Sequence, residues 1–75
     1  MQIYVKTLIG RTIVLDIDPC DTIENINNKI NEKEGIPQHH QKLIYKGTVL
    51  TPERTLAYYN IQKNSTIFLI LPLRG

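Results

Sequence analysis

The stretch Thr22-Ile23-Glu24-Asn25-Ile26-Asn27-Asn28-Lys29-Ile30-Asn31-Glu32-Lys33-Glu34-Gly35-Ile36-Pro37 decides the fold, because here the hydrophobic period changes from two to about 3.6. Ile23, Ile26 and Ile30 are spaced three and four apart and so share one helical face, while Glu24, Asn25, Lys29, Asn31 and Lys33 lie elsewhere. Thr22 supplies a hydroxyl that accepts from the free N–H groups of the first turn. Gly35, with Pro37 just beyond it, marks the end. An amphipathic helix with one apolar stripe must bury that stripe against something else in the chain.

The flanks supply the partner. From Met1 to Thr7 the apolar residues Met1, Ile3 and Val5 alternate with Gln2, Tyr4 and Lys6, and Ile13, Leu15 and Ile17 alternate with Thr12, Val14 and Asp16. Both runs have the period of strands with one buried face, and Gly10 in the Leu8-Ile9-Gly10 link allows the positive φ of a tight hairpin. After the helix, Leu43-Ile44-Tyr45 and Val49-Leu50 flank Lys46-Gly47 as two short strands about a glycine turn. Thr55 is placed to cap a single helical turn from Leu56 to Tyr59. The run Thr66 to Leu71 reads as a last strand, which Pro72 stops because it has no N–H to give to a ladder. One helix laid across a mixed sheet of four or five strands is the simplest way to bury these faces, an α+β arrangement with the β-grasp layout.

A single helix covers one face of a sheet, yet Ile67-Phe68-Leu69-Ile70-Leu71 is apolar on both. By alternation Ile67, Leu69 and Leu71 share one face, and Phe68 and Ile70 the other, with Ile44 out of phase with a buried Leu43. Ile44, Phe68 and Ile70, extended by Leu8 at the hairpin tip, are therefore expected to form an exposed apolar patch. Contiguous apolar surface on a small protein marks a partner site. The bland alternative is cover by a loop or by self-association, or single scattered residues of the kind that exposed hydrophobes often are.

Length and composition bound the rest. A chain of 75 residues is one domain, with no room for a second module. A body this small hides only about 60% of the surface of its unfolded chain, so it needs one well-filled core or a staple. The single Cys20 makes no internal disulfide, which fits a reducing compartment. Nine Lys and Arg against seven Asp and Glu give a net charge of +2 without a long basic run, which does not favour nucleic acid. No stretch approaches the ~20 apolar residues of a membrane span, and Met1 leads directly into a strand pattern rather than a leader. His39-His40 and the Asp16, Asp18, Asp21 group lack metal-ligand spacing and read as surface, so neither a metal nor a cofactor is expected. Cys20 has no basic neighbour in sequence to activate it. Tyr59 reads as a structural hydrogen-bonding residue.

Met1-Gln2-Ile3, Asp21-Thr22-Ile23-Glu24-Asn25, Lys33-Glu34-Gly35-Ile36-Pro37, Tyr59-Asn60-Ile61-Gln62-Lys63 and Leu73-Arg74-Gly75 closely resemble the ubiquitin family, in register along the whole chain. At Ile17, Ile26 and Ile67 one apolar residue is exchanged for another. The resemblance implies a protein modifier, not an enzyme. The carboxylate that ends its tail Leu73, Arg74 and Gly75 would be adenylated, carried as a thioester by activating, conjugating and ligating enzymes, and joined to lysines of substrate proteins. Deubiquitinases and ubiquitin-binding domains would recognise it. The implied division is a β-grasp domain over 1–71 and a flexible tail over 72–75, as a monomer in cytoplasm and nucleus, or secreted if a leader has been removed from a microbial protein.

Carried over by position, Leu8, Ile44, Phe68 and Ile70 would form the main recognition patch, and Ile36, Leu71 and Leu73 a second one. Lys6, Lys29, Lys33 and Lys63 match lysines that the family uses to build chains. Arg11, Asn27 and Thr48 stand where the family has lysine, so chains through those positions are excluded. Asn27 and Pro52 together replace a partly buried lysine–aspartate pair, a joint loss that the fold should survive. Pro72 replaces an arginine read by activating enzymes, and the chain as given ends at Gly75, one glycine short of the family tail. These departures leave a rival expectation: a non-conjugating ubiquitin mimic, viral or bacterial, that occupies the enzymes or receptors of a host.

Overall fold

The computed structural model describes residues 1–71. Pro72, Leu73, Arg74 and Gly75 lie outside the described residues, and with them the expected tail and its conjugation residues. The chain order is β1 (Gln2–Thr7), β2 (Thr12–Asp16), α1 (Ile23–Glu34), a short 3-10 turn (Gln38–His40), β3 (Lys42–Tyr45), β4 (Thr48–Val49), a second 3-10 turn (Ala57–Tyr59) and β5 (Thr66–Ile70).

Helix α1 starts and stops where its residues say it should. Thr22 Oγ1 accepts from Asn25 N at 3.3 Å, and Gly35 adopts φ 71° while its N–H returns to Asn31 O. Other first-turn donors are met by the segment before the second 3-10 turn: Ile23 N reaches Arg54 O at 2.8 Å and Glu24 N reaches Pro52 O at 3.0 Å. Pro52 thus still serves the fold through its carbonyl.

The five strands form one mixed sheet in the order β2-β1-β5-β3-β4. The β1–β5 pair is parallel and the other neighbours are antiparallel. Ile23, Ile26 and Ile30 of α1 join Ile3, Val5, Leu15, Ile67 and Leu69 of the sheet in a single buried cluster. Ile17, Ile26 and Ile67 all lie in that core. The structure is therefore the β-grasp arrangement expected from the period change, with five strands. Thr55 Oγ1 accepts from Tyr58 N at 3.1 Å, so it caps the expected turn, whose helical part is the 3-10 turn Ala57–Tyr59. Tyr59 Oη accepts from Thr51 N at 2.8 Å, a structural role.

Asn27 is the one buried polar side chain among the described residues. Its Nδ2 donates to Gln41 Oε1 at 2.8 Å, and Gln41 Nε2 donates to Asn27 O at 3.1 Å and Ile36 O at 2.9 Å. A neutral amide pair needs no counter-charge, so the loss of the family's ion pair leaves no buried charge unpaired. Arg11 ties the first hairpin to the end of α1 through two contacts with Glu34, at 2.9 and 3.1 Å. That guanidinium is engaged in a bidentate pair, the geometry for which arginine is suited.

Candidate functional site

The helix packs on one face of the sheet and leaves the other open. The register lays Lys6, Phe68, Ile44 and Val49 in one row across β1, β5, β3 and β4. In the next row Ile70 stands opposite Lys42. Phe68 is 46% exposed and Val49 50%, while Ile44 and Ile70 are half-buried. Their strand neighbours Leu43, Ile67 and Leu69 point to the core and are buried. The alternation of β5 thus divides its apolar residues between core and surface. No carboxylate stands in these two rows; the cations Lys6 and Lys42 do.

Leu8, on the loop between β1 and β2, is 76% exposed. It helps to line a groove of about 280 Å³ with Ile9, Ile13, Ile36, Leu69 and Leu71. Leu8 therefore shares a groove with Ile36 and Leu71, the described members of the second recognition surface; Leu73 lies outside the described residues. Leu71 follows the last residue of β5 and is exposed, although Leu69 on the same face is buried.

The candidate chain lysines are dispersed. Lys6 is on the open face opposite Phe68, Lys29 is half-buried on α1, Lys33 is exposed in the last turn of α1, and Lys63 is exposed in the turn before β5. Two surface residues escaped the sequence reading. Val49 could have been found by counting outward from the Lys46-Gly47 turn, which sets Tyr45 against Thr48 and Ile44 against Val49. Lys42 pairs with Ile70, and nothing local in the sequence announces that pairing.

His39 and His40 are exposed in the first 3-10 turn, with ring centroids 4.2 Å apart. Among the described residues no three His, Cys, Asp or Glu side chains gather as a metal site. Asp21 accepts from Asp18 N at 2.8 Å and so closes a turn. Cys20 is exposed and free.

The ubiquitin family model matches residues 3–74, nearly the whole chain. The chain belongs to the ubiquitin family. Among its relatives in that family, NEDD8-like protein RUB3 of Arabidopsis thaliana is 45% identical over 75 residues, which span all of this chain and 96% of the relative. Ubiquitin-like protein 1 of Schizosaccharomyces pombe is 44% identical with the same coverage. Ubiquitin-like protein NEDD8 of Dictyostelium discoideum is also 44% identical and is covered to 97% of its length. These matches take in all of this chain and nearly all of each relative.

Proposed function

We propose that this ubiquitin-family chain is a protein modifier, joined through its C-terminal glycine to lysine amines of target proteins and read through the open face of its sheet. The observation that carries the reading is the Ile44–Phe68 row, with Val49 beside it, on a sheet face that no element among the described residues covers. A receptor suited to it carries an apolar stripe flanked by carboxylates, which would meet Lys6 and Lys42. Full-length relatives named as NEDD8-like and ubiquitin-like proteins support the same reading.

In this role the chain is the group transferred. A free carboxylate resists attack by an amine, whereas a thioester provides a good leaving group; activating, conjugating and ligating enzymes supply the nucleophilic cysteines. A reducing compartment, the cytoplasm or nucleus, keeps such cysteines and the exposed Cys20 as thiols.

The reading is tested in cells that contain a ubiquitin system, by expressing the chain with a lysine-free N-terminal tag and its own lysines replaced by arginine, so that it can act as donor but not as acceptor. Adducts of higher mass that survive boiling in detergent and reductant are expected, and they should vanish when Gly75 is deleted. Absence of such adducts, or their persistence without Gly75, would contradict it.

A further inference from the structure

The sheet has two edges, β2 and β4, and only β2 is long enough to pair with another chain. β4 is the two residues Thr48–Val49, whereas β2 runs over the five residues Thr12–Asp16. Its backbone groups alternate in direction. Thr7 N donates to Arg11 O at 2.9 Å, and Met1 and Ile17 exchange N–H···O bonds at 2.7 Å each. Along the unbroken register between these pairs, Ile13 and Leu15 bond to Val5 and Ile3, while Thr12, Val14 and Asp16 turn their N–H and C=O groups away from β1. Tyr4 fits the same alternation, since its N–H leaves β1 on the other side, to Ser65 O at 2.9 Å. The outward row of β2 has no strand beside it.

Sheet edges are usually blunted by lysine, proline or a bulge, and β2 has none of these. It carries an exposed Val14 instead. A hollow of about 410 Å³ lies along it, with Val14, Leu15 and Asp16 of β2 on one side and Lys29, Glu32 and Lys33 of α1 on the other. The charge around this edge is mostly positive. Lys29 and Lys33 belong to no ion pair among the described residues, and Lys6 stands beside Thr12 on β1. Against them are Glu32 and Asp16, and Asp16 Oδ1 already faces the Met1 amine at 3.4 Å. A second copy of this chain would bring the same cations to the same edge, so like charge opposes self-pairing and favours an acidic partner.

We propose that the β2 edge docks an extended acidic segment of a partner protein as an added antiparallel strand. Main-chain bonds to Thr12, Val14 and Asp16 supply the attachment, and side chains on alternate faces supply the choice of sequence. The residue opposite Val14 shares the open face with it and is best apolar and β-branched. Its neighbours on either side turn toward the helix, where carboxylates meet Lys29 and Lys33. The fitting pattern is acidic, apolar, acidic at consecutive positions. This surface is separate from the Ile44–Phe68 row and needs no conjugation, so it goes beyond the modifier reading.

The probe is a capped peptide, Ser-Thr-Glu-Val-Glu-Thr-Ser, added to the full chain at up to about 1 mM and followed by amide shifts in NMR spectra. Shifts are expected to concentrate on β2 and around Lys29 and Lys33, with the Val14 N–H newly protected from solvent exchange. Methylating the nitrogen of the peptide's valine removes its ladder hydrogen but keeps every side chain, and should weaken binding about tenfold or more. Reversing charge with Lys29→Glu and Lys33→Glu should weaken it to a similar degree. Val14→Pro takes away the outward N–H at an edge position where proline is tolerated, and should abolish binding. A thermal melt shows whether that variant folds, and the methylated peptide carries the same test on the unaltered chain. Unshifted spectra, shifts confined to the Ile44–Phe68 row, or equal binding of the methylated peptide would overturn the proposal. So would β2 shifts that grow with protein concentration alone, which would seat a second copy at this edge.

Discussion

Ile44→Ala is expected to weaken binding to a ubiquitin-binding domain by about 30-fold or more, a loss of about 2 kcal/mol, as for a central interface residue. The position justifies a value at the strong end. Ile44 lies between Phe68 and Val49 in one cross-strand row, so it is the middle of the apolar strip rather than its rim. Residues at the centre of a patch lose water most completely on binding, whereas rim residues lose little. The fold should persist, because Ile44 faces away from the buried cluster and is not among its members. Titration calorimetry with one such domain, beside a thermal melt of the same variant, checks both halves. Unchanged affinity would remove Ile44 from the recognition surface, and loss of folding would show that the open face carries the core.

Pro72→Arg is expected to raise the rate of charging by a ubiquitin-activating enzyme by about 10- to 150-fold. That range corresponds to one restored charge-assisted hydrogen bond of about 1.5–3 kcal/mol, with tenfold for each 1.4 kcal/mol. The resemblance implies that activating enzymes read an arginine at this position. Proline removes that guanidinium, takes away an N–H and fixes φ near −65°. Pro72→Ala separates the contributions, because it frees the backbone without supplying charge. Initial rates of thioester formation, compared as kcat/KM, should rank Arg above Ala and Ala at or above Pro. Equal rates for all of them would show that position 72 is not read.

Most of the fold was legible because its signals are local. Thr22 and Gly35 bracket α1 through contacts within a few residues of themselves. The alternation of β1 and β2 assigns each residue to a face, and the Lys46-Gly47 turn fixes its own hairpin. The parallel β1–β5 pairing joins opposite ends of the chain, and no neighbouring residue encodes it. The same is true of the Arg11–Glu34 pair, made between residues 23 apart in sequence. Asn27 shows a different limit. On a helical wheel it is a polar residue beside an apolar stripe, and only Gln41, brought in by the segment after α1, makes its burial tolerable. The site was legible to the extent that it follows from alternation, as with Ile44 and Phe68. The company Leu8 keeps depends on a loop conformation, and periodicity says nothing of that.

The most direct measurement is thioester formation by the full chain with ATP and the activating enzymes of ubiquitin and of NEDD8, run with and without a glycine added after Gly75. A modifier is expected to give an adduct with at least one of these enzymes that disappears under reductant and passes to a conjugating enzyme. If neither form of the chain is charged by either enzyme, the carboxyl is not a transferable group, and the chain is a non-conjugating mimic that acts through its surface alone.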